Sequence, residues 1–404
     1  MTYKFLKKCR GCGSKKLYKY LDLGSQPLAN SFLKKNQIKK EKKYPLEVIL
    51  CQKCKLSQLS IVVSPKKIFN DYDYLSSSSK ALQDHYKKLV RNISVSFKIN
   101  KNDNVLDIGC NDGILLKNYT NKVNIIGVEP SNVYRFIKDK RIKIYNNFFD
   151  KNLAKKIKTK HNVMKIITMT NVLAHIDDLN SLIKNIKYIL ADDGFFIIEV
   201  PYIYDMIKNY TFDVIYHEHL SYFSLTSLNF IFKMNNLKIV DVKKINFGAS
   251  GPCIRTIVAN KQYSRTKKSV AKLLKFEHKI GLNKKKIYIN FAQRVNVTLA
   301  KIQKKINYYK NKNISLACYT APAKGNTLLN ALDLSKSNIQ YISENNKKKI
   351  GKYTPGTHLK VVTDNFLKKK KITHALLLSW NYKKFFIKNS KFIKQGGKFI
   401  LPFH

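Results

Sequence analysis

Tyr216, His217, Glu218, His219 and Tyr222 fall within one short stretch, YHEHLSYFS, directly after the apolar run FDVI. Imidazole accepts a proton near neutral pH, a carboxylate can hold that imidazole in place, and a phenol can donate to an oxygen gaining negative charge. A base, its orienter and an oxyanion donor are therefore present together. His217 and His219 alternate, which on a strand puts them on one face with Glu218 opposite, so the three could not ligate one metal. Metal ligation and plain aromatic packing stand as the alternatives, and His217 suits a structural role.

A second set is made of cysteines. Cys9 and Cys12 form one Cys-x-x-Cys knuckle, CRGC, and Cys51 and Cys54 form another, CQKC. Four thiolates close a tetrahedral site, which makes it structural and suits Zn2+. The long stretch between the knuckles, with no histidines in the second half, points away from a compact DNA-reading finger. Cys110, Cys253 and Cys318 are isolated.

The third set binds a cofactor. The apolar strand NVLDI ends in Asp107-Ile-Gly109-Cys-Asn111-Asp-Gly113 and predicts a helix at ILLKNY, and a second strand, NIIGVEP, ends in Glu129. Glycines at a strand-to-helix turn let a ligand lie on bare backbone, and an acid closing the next strand accepts from a ribose diol. The leading Asp107 repels phosphate and attracts the cationic amino-acid end of S-adenosylmethionine, which this pattern fits better than a dinucleotide. Asn171 and His175 leave the carboxyl end of a further strand, in MKIITMTNVLAHIDDL, where open sheets bind ligands.

These sets need positioning elements. Strands and helices alternate from about residue 80 to 260, predicting a doubly wound parallel sheet. Two helices broken near Gly281 follow, and a second αβ unit runs from ISLACYT to GGKFIL. Its turn APAKGN puts Lys324 at a helix N-terminus suited to phosphate, without the full spacing of a nucleotide-hydrolysing loop. The expected fold is α/β, a doubly wound S-adenosylmethionine-binding sheet flanked by a small N-terminal zinc domain (1–68) and a second αβ unit (261–404). The sheet domain takes 69–260.

Lys and Arg number 77 against 25 Asp and Glu, a net charge of +52 over 404 residues. That charge is spread along the whole chain with abundant Asn, Ile and Tyr, as compositional drift would leave it, and selects no nucleic-acid partner. With 44% hydrophobic residues the chain folds. No apolar run approaches the roughly 18 residues of a membrane span, and the first residues lack a signal-peptide pattern. A soluble cytoplasmic protein, monomer or homodimer, is expected, with no membrane and no specific nucleic-acid partner.

The ordered motifs CxxC…CxxC, LDIGCNDGILL, GVEPSN, NVLAHIDDL, IEVPY, YHEHLSYFS, YTAPAKGNTLLN, GKYTPGTH and GGKFILP make the chain resemble the nucleotide-sugar C-methyltransferase family over nearly its whole length. The resemblance implies a Rossmann-like S-adenosylmethionine methyltransferase sheet with a C-terminal Rossmann-like sugar-nucleotide domain, zinc, S-adenosylmethionine, and a nucleoside-diphosphate-linked 4-keto deoxysugar methylated at carbon beside the ketone, C3. It implies His219 as base, Glu218 beside it, Tyr216 and His175 near the ketone, and Tyr74, with Tyr72 its rival, as a substrate contact. Lys324, Asn326 and Arg255 fall where the sugar nucleotide would lie. Thr320, Glu344, Lys347 and the run Gly251-Pro-Cys253-Ile-Arg255 depart from the family pattern. The alternative from another class is a zinc-containing RNA or DNA methyltransferase, for which Cys253 after proline would be the nucleophile.

Overall fold

The computed structural model describes residues 3–69, 75–120, 122–246, 251–334 and 337–403. Its N-terminal part is antiparallel. Strands β1 (Tyr3–Phe5), β2 (Leu17–Gln26), β3 (Tyr44–Cys51), β4 (Ser57–Leu59) and β5 (Ile61–Val63) precede a short helix α1 (Pro65–Phe69). Strands β2, β3 and β4 pair in sequence order, and β5 pairs with β1.

The central part supplies α2 (Lys80–Ser96), β6 (Asn104–Ile108), β7 (Asn124–Val128), β8 (Ile142–Tyr145), α3 (Lys151–His161), β9 (Met164–Thr170), α4 (Leu179–Ile189) and β10 (Leu190–Pro201). After α5 (Ile203–Asn209), the two-residue β11 (Ser221–Tyr222) and α6 (Leu225–Lys233), β12 (Leu237–Ile245) and β13 (Cys253–Asn260) complete a seven-stranded sheet. Its order is β12-β13-β10-β9-β6-β7-β8, and only β13, second from one edge, runs opposite to the other six strands. Near-continuous apolar runs such as VLDI and IITM suit strands covered on both faces. Tyr86, Leu89 and Ile93 of α2 pack one face with Val105 and Ile166, and Ile157 of α3 and Ile183 of α4 pack the other with Leu106 and Ile167. Ser79, Asp150 and Asp178 cap α2, α3 and α4 through side-chain oxygens, each such cap contributing about 1 kcal/mol.

The helix expected at ILLKNY is only a single turn of 3-10 helix, Leu116–Asn118. Asn118 explains the difference: its side-chain amide donates to the carbonyls of Ile114 and Leu115, the acceptors a longer helix would use.

Helices α7 (Lys268–Lys279) and α8 (Lys285–Asn311) break around Gly281, as the sequence predicts, and lead to a parallel five-stranded sheet. That sheet runs β16-β15-β14-β17-β18, from β14 (Leu316–Tyr319), β15 (Tyr341–Ser343), β16 (Lys360–Val362), β17 (His374–Leu377) and β18 (Lys398–Ile400). Helix α9 (Ala323–Asn330) follows β14.

The N-terminal unit grips both neighbours. Its Glu41 accepts from the Gly356 amide at 2.9 Å and meets His358 Nε2 at 2.8 Å. Gly356 sits at φ +76 with Asn330 Oδ1 1.8 Å from where a Cβ would stand, so only glycine fits there. On the other side β11 is hydrogen-bonded to β4, which makes part of the central segment the edge of the N-terminal sheet.

Candidate active site

The four cysteines gather as their spacing predicts, with ligand atoms all within 4.8 Å of one another. Cys9–Cys54 and Cys12–Cys51 sulfurs lie 3.5 Å apart, close to the ~3.8 Å tetrahedral edge that a Zn–S bond of ~2.3 Å requires. Both knuckles close alike: Gly13 and Lys55, each just after its second cysteine, adopt left-handed φ of 70° and 64° and donate to the carbonyls of Cys9 and Cys51. The residues fit zinc. Between the knuckle cysteines, Arg10 is buried and donates to the carbonyls of Leu59 and Ile61 and to Asp177 Oδ1 at 3.0 Å. Truncating it would strand those carbonyls at about 1–3 kcal/mol each. It also ties the knuckle to the segment just after His175.

At the carboxyl edge of the central sheet, Gly109, Glu129 and Asn171 follow β6, β7 and β9. Gly109 and Gly113 take φ of 75° and 74°, and Asn111 and Asn171 take 51° and 58°. A side chain at Gly109 would put its Cβ 2.4 Å from Val172, so the turn presses on the neighbouring loop. Asp107 is buried and accepts from Thr168 Oγ1 at 2.6 Å; burial, with Glu129 adding, pushes its carboxyl up to about 7. Glu129 accepts from the Asn111 amide and, at its other oxygen, from Ser131 backbone and hydroxyl. Three of a carboxylate's roughly four acceptor sites are used, which leaves room for one ribose hydroxyl. Asn171 Oδ1 is buried with no partner among the described residues. An orphaned acceptor and an acid with spare capacity at this edge fit S-adenosylmethionine.

The YHEHL stretch is a turn, closed by the His219 amide on the Tyr216 carbonyl at 2.8 Å, so the one-face arrangement that a strand would give His217 and His219 does not apply; Ser221–Tyr222 pair in a sheet. Two bonds to the loop after β9 bend it: His175 Nδ1 donates to the Glu218 carbonyl at 2.6 Å, and the Leu220 amide donates to Ala174 O at 2.7 Å. His175 and His219 are thereby brought together, ring centroids 5.1 Å apart. His219 donates through Nδ1 to Val214 O at 2.8 Å, which fixes the tautomer and makes Nε2 the acceptor, 3.0 Å from the Tyr216 hydroxyl. Burial, with His175 adding, pulls the His219 imidazolium down to about 3, so the ring is neutral at physiological pH. His175 is lowered as well, by burial. Burial pushes Glu218 up to about 7, against a 2.7 Å bond from Asn30 Nδ2 that favours its ionised form. His217 faces away, bonded to Pro45 O at 3.2 Å, lowered by burial to about 4, and is structural. Tyr72 and Tyr74 lie outside the described residues.

Arg255 is taken by an internal partner. Its Nε is 2.6 Å from Glu199 Oε1, and His85 Nε2 is 2.8 Å from Glu199 Oε2. Asn326 is buried and donates to Ala29 O at 2.6 Å. Lys324 sits at the head of α9, bonded to Asn381 Oδ1 with its ammonium 4.6 Å from the Trp380 ring. Asp213, buried, accepts from Trp380 Nε1 at 2.8 Å and draws on the Lys324 charge. Cys253 is buried on β13, where burial pushes its thiol up, the opposite of an activated nucleophile. Asn30 and His85 belong to no motif, and Arg10 and Glu199 sit inside CRGC and IEVPY without a partner that those motifs disclose; each reaches its partner across a separation that sequence spacing cannot signal.

Fold and site define an S-adenosylmethionine-dependent methyltransferase carrying a four-thiolate zinc centre. Family models described as a zinc binding domain, a methyltransferase domain and a C-methyltransferase C-terminal domain match residues 9–69, 80–242 and 249–403. The C-methyltransferase NovU of Streptomyces niveus is 30% identical over 398 residues, 98% of this chain and 94% of its own length. The chain belongs to this C-methyltransferase family. A solved S-adenosylmethionine-dependent methyltransferase from Clostridium acetobutylicum is 15% identical, covering 47% of this chain and 93% of its own, at a TM-score of 0.34. An overlap that loose has no bearing on function. No helix among the described residues is long and apolar enough to cross a membrane.

Proposed function

We propose that this C-methyltransferase acts on a nucleoside-diphosphate-linked 4-keto deoxysugar, deprotonating C3 beside the ketone and methylating the resulting enolate. Zinc, S-adenosylmethionine and sugar-nucleotide domains at 1–68, 69–260 and 261–404 are part of the proposal. So are the roles of His219, Glu218, Tyr216 and His175. The observation that carries it is the turn at 216–219, which sets a neutral imidazole with a defined basic Nε2 against a phenol and a second imidazole.

S-adenosylmethionine supplies an electrophilic methyl group on a sulfonium. A ring carbon has no lone pair to meet it, so a proton must first leave. His219 Nε2 takes that proton, with its Nδ1–H held by the Val214 carbonyl so that the lone pair stays on Nε2. The electrons move onto the ketone oxygen, where the Tyr216 hydroxyl, displaced from His219 Nε2 by the substrate, donates a hydrogen bond, a contribution of roughly 3 kcal/mol for a well-placed donor, while His175 lies beside it with its Nδ1–H held by the Glu218 carbonyl. Glu218, ionised above about pH 7, stabilises the imidazolium that forms beside it.

Lys324 and Lys349 suit the diphosphate. Both ammonium groups are lowered by burial, and Lys349 donates to Ala321 O at 2.8 Å near the head of α9. Arg255 enters as the partner of Glu199 and Asn326 as a bracket for the N-terminal unit. Tyr74 is retained on the family resemblance alone.

Methyl-labelled donor incubated with the full-length protein and a panel of 4-keto nucleotide sugars tests this, the labelled carbon being assigned by NMR. Label at C3 of the sugar is expected. Label on an oxygen, or transfer to RNA or DNA with none to a sugar, would refute it.

A further inference from the structure

The loop leaving β2, residues 26–30, belongs to the N-terminal zinc unit yet ends inside the catalytic cluster. Asn30 Nδ2 donates to Glu218 Oε1 at 2.7 Å. The same loop is pinned from behind by the C-terminal unit. Asn326 Nδ2 donates to Ala29 O at 2.6 Å, and Gln26, buried, donates through Nε2 to Leu23 O at 3.0 Å and to Thr327 O at 3.4 Å. A turn bond from the Ser31 amide to Leu28 O, 3.0 Å, fixes the backbone beside Asn30.

The other flank of Glu218 is fixed by the same unit. The Leu59 amide at the end of β4 donates to Leu220 O at 3.0 Å, and β11 continues the pairing through Ser221 and Tyr222. The 216–219 turn is thus strung between β4 on one side and Asn30 on the other.

We propose that Asn30 is a positioning residue for catalysis, an amide that the zinc unit inserts to hold the Glu218 carboxylate in place beside His219. This rests on the function proposed above for Glu218 and His219. An amide suits this role because it offers hydrogens to a carboxylate and brings no charge, so it orients Glu218 without neutralising it. A carboxylate freed from its only described side-chain partner would lose the bond that fixes its orientation, and the imidazolium would form without its counter-charge in place. Misplacing a catalytic group by about 1 Å costs on the order of a hundredfold in rate. The zinc centre consequently serves the reaction at a distance, by holding the unit from which Asn30 reaches.

A double-mutant cycle in the full-length, zinc-loaded protein tests this. Solvent deuterium exchange at the carbon beside the ketone, kcat, and KM for both substrates are measured for wild type, Asn30→Ala, Glu218→Gln and the double variant. Asn30→Ala alone is expected to lower kcat and exchange by about tenfold to a hundredfold while KM for S-adenosylmethionine and zinc content stay unchanged. In the Glu218→Gln background the same change is expected to cost less than about twofold, since the group it positions is gone. Equal losses in both backgrounds, or no loss in either, would overturn the role. If Glu218→Gln leaves no exchange to follow, the crystal structure of Asn30→Ala decides: a displaced Glu218 carboxylate with the zinc unit in place supports the role, and an unmoved one overturns it. Absence of exchange in the wild-type enzyme with every keto-sugar would instead refute the proposed function.

Discussion

The zinc centre and the catalytic turn are both tight clusters of polar side chains, yet they are assembled in opposite ways. Each knuckle is a local object: Cys9 to Gly13 and Cys51 to Lys55 wind into the same left-handed turn, and the site forms once two such turns meet. The catalytic cluster is made of pieces that lie far apart in sequence and are joined by tertiary bonds. His175 comes from the loop after β9, Glu218 and His219 from a turn that is held by bonds to that loop and to β4, and Asn30 from the loop that leaves β2. A cluster built from neighbours in sequence can support other parts of the molecule, whereas one built from distant segments depends on them.

Destroying the local cluster should therefore damage the distant one. Chelating zinc, or replacing Cys51 with Ser, removes a centre whose binding is of order 10 kcal/mol in small zinc modules. The N-terminal unit should melt separately at lower temperature in calorimetry, and kcat should fall by at least about a hundredfold as Asn30 and β4 release the turn. Retention of full activity by a zinc-free protein would break the comparison.

A milder change sharpens it from the other end. Glu218 must be ionised to support the imidazolium, and burial puts its carboxyl near 7, so activity should fall as pH drops through about 7. His219, pulled down to about 3, stays neutral across that range and adds no limb there. Glu218→Gln should lower kcat by about tenfold to a hundredfold and flatten the acid limb of kcat/KM, measured from about pH 5.5 to 9. A limb that persists in the variant would assign it to another group.

What the sequence disclosed follows the same division. The cysteine knuckles and the glycine turn after β6 were legible because each is a short pattern whose spacing alone implies its shape. The alternation of strands and helices behind both parallel sheets was legible from apolar runs separated by helical periodicity. The helix at ILLKNY was not, because Asn118 intercepts the helical acceptors with its own side chain. Nor was the shape of YHEHL, where residue types name the chemistry but a local Tyr216–His219 bond and two tertiary bonds set the turn. Arg255 looked free to hold a ligand until Glu199, distant in sequence, was seen to take its guanidinium. Side-chain chemistry could be read from residue types, but the identity of the partner could not, since partners are chosen by the fold.

The most direct test of the central claim is solvent deuterium exchange at the carbon beside the ketone, in wild type and His219→Asn, with donor binding followed by calorimetry. With His219 as the base, exchange falls by about a hundredfold to ten-thousandfold while S-adenosylmethionine still binds. Exchange at the wild-type rate in His219→Asn would contradict this and move the base elsewhere in the cluster.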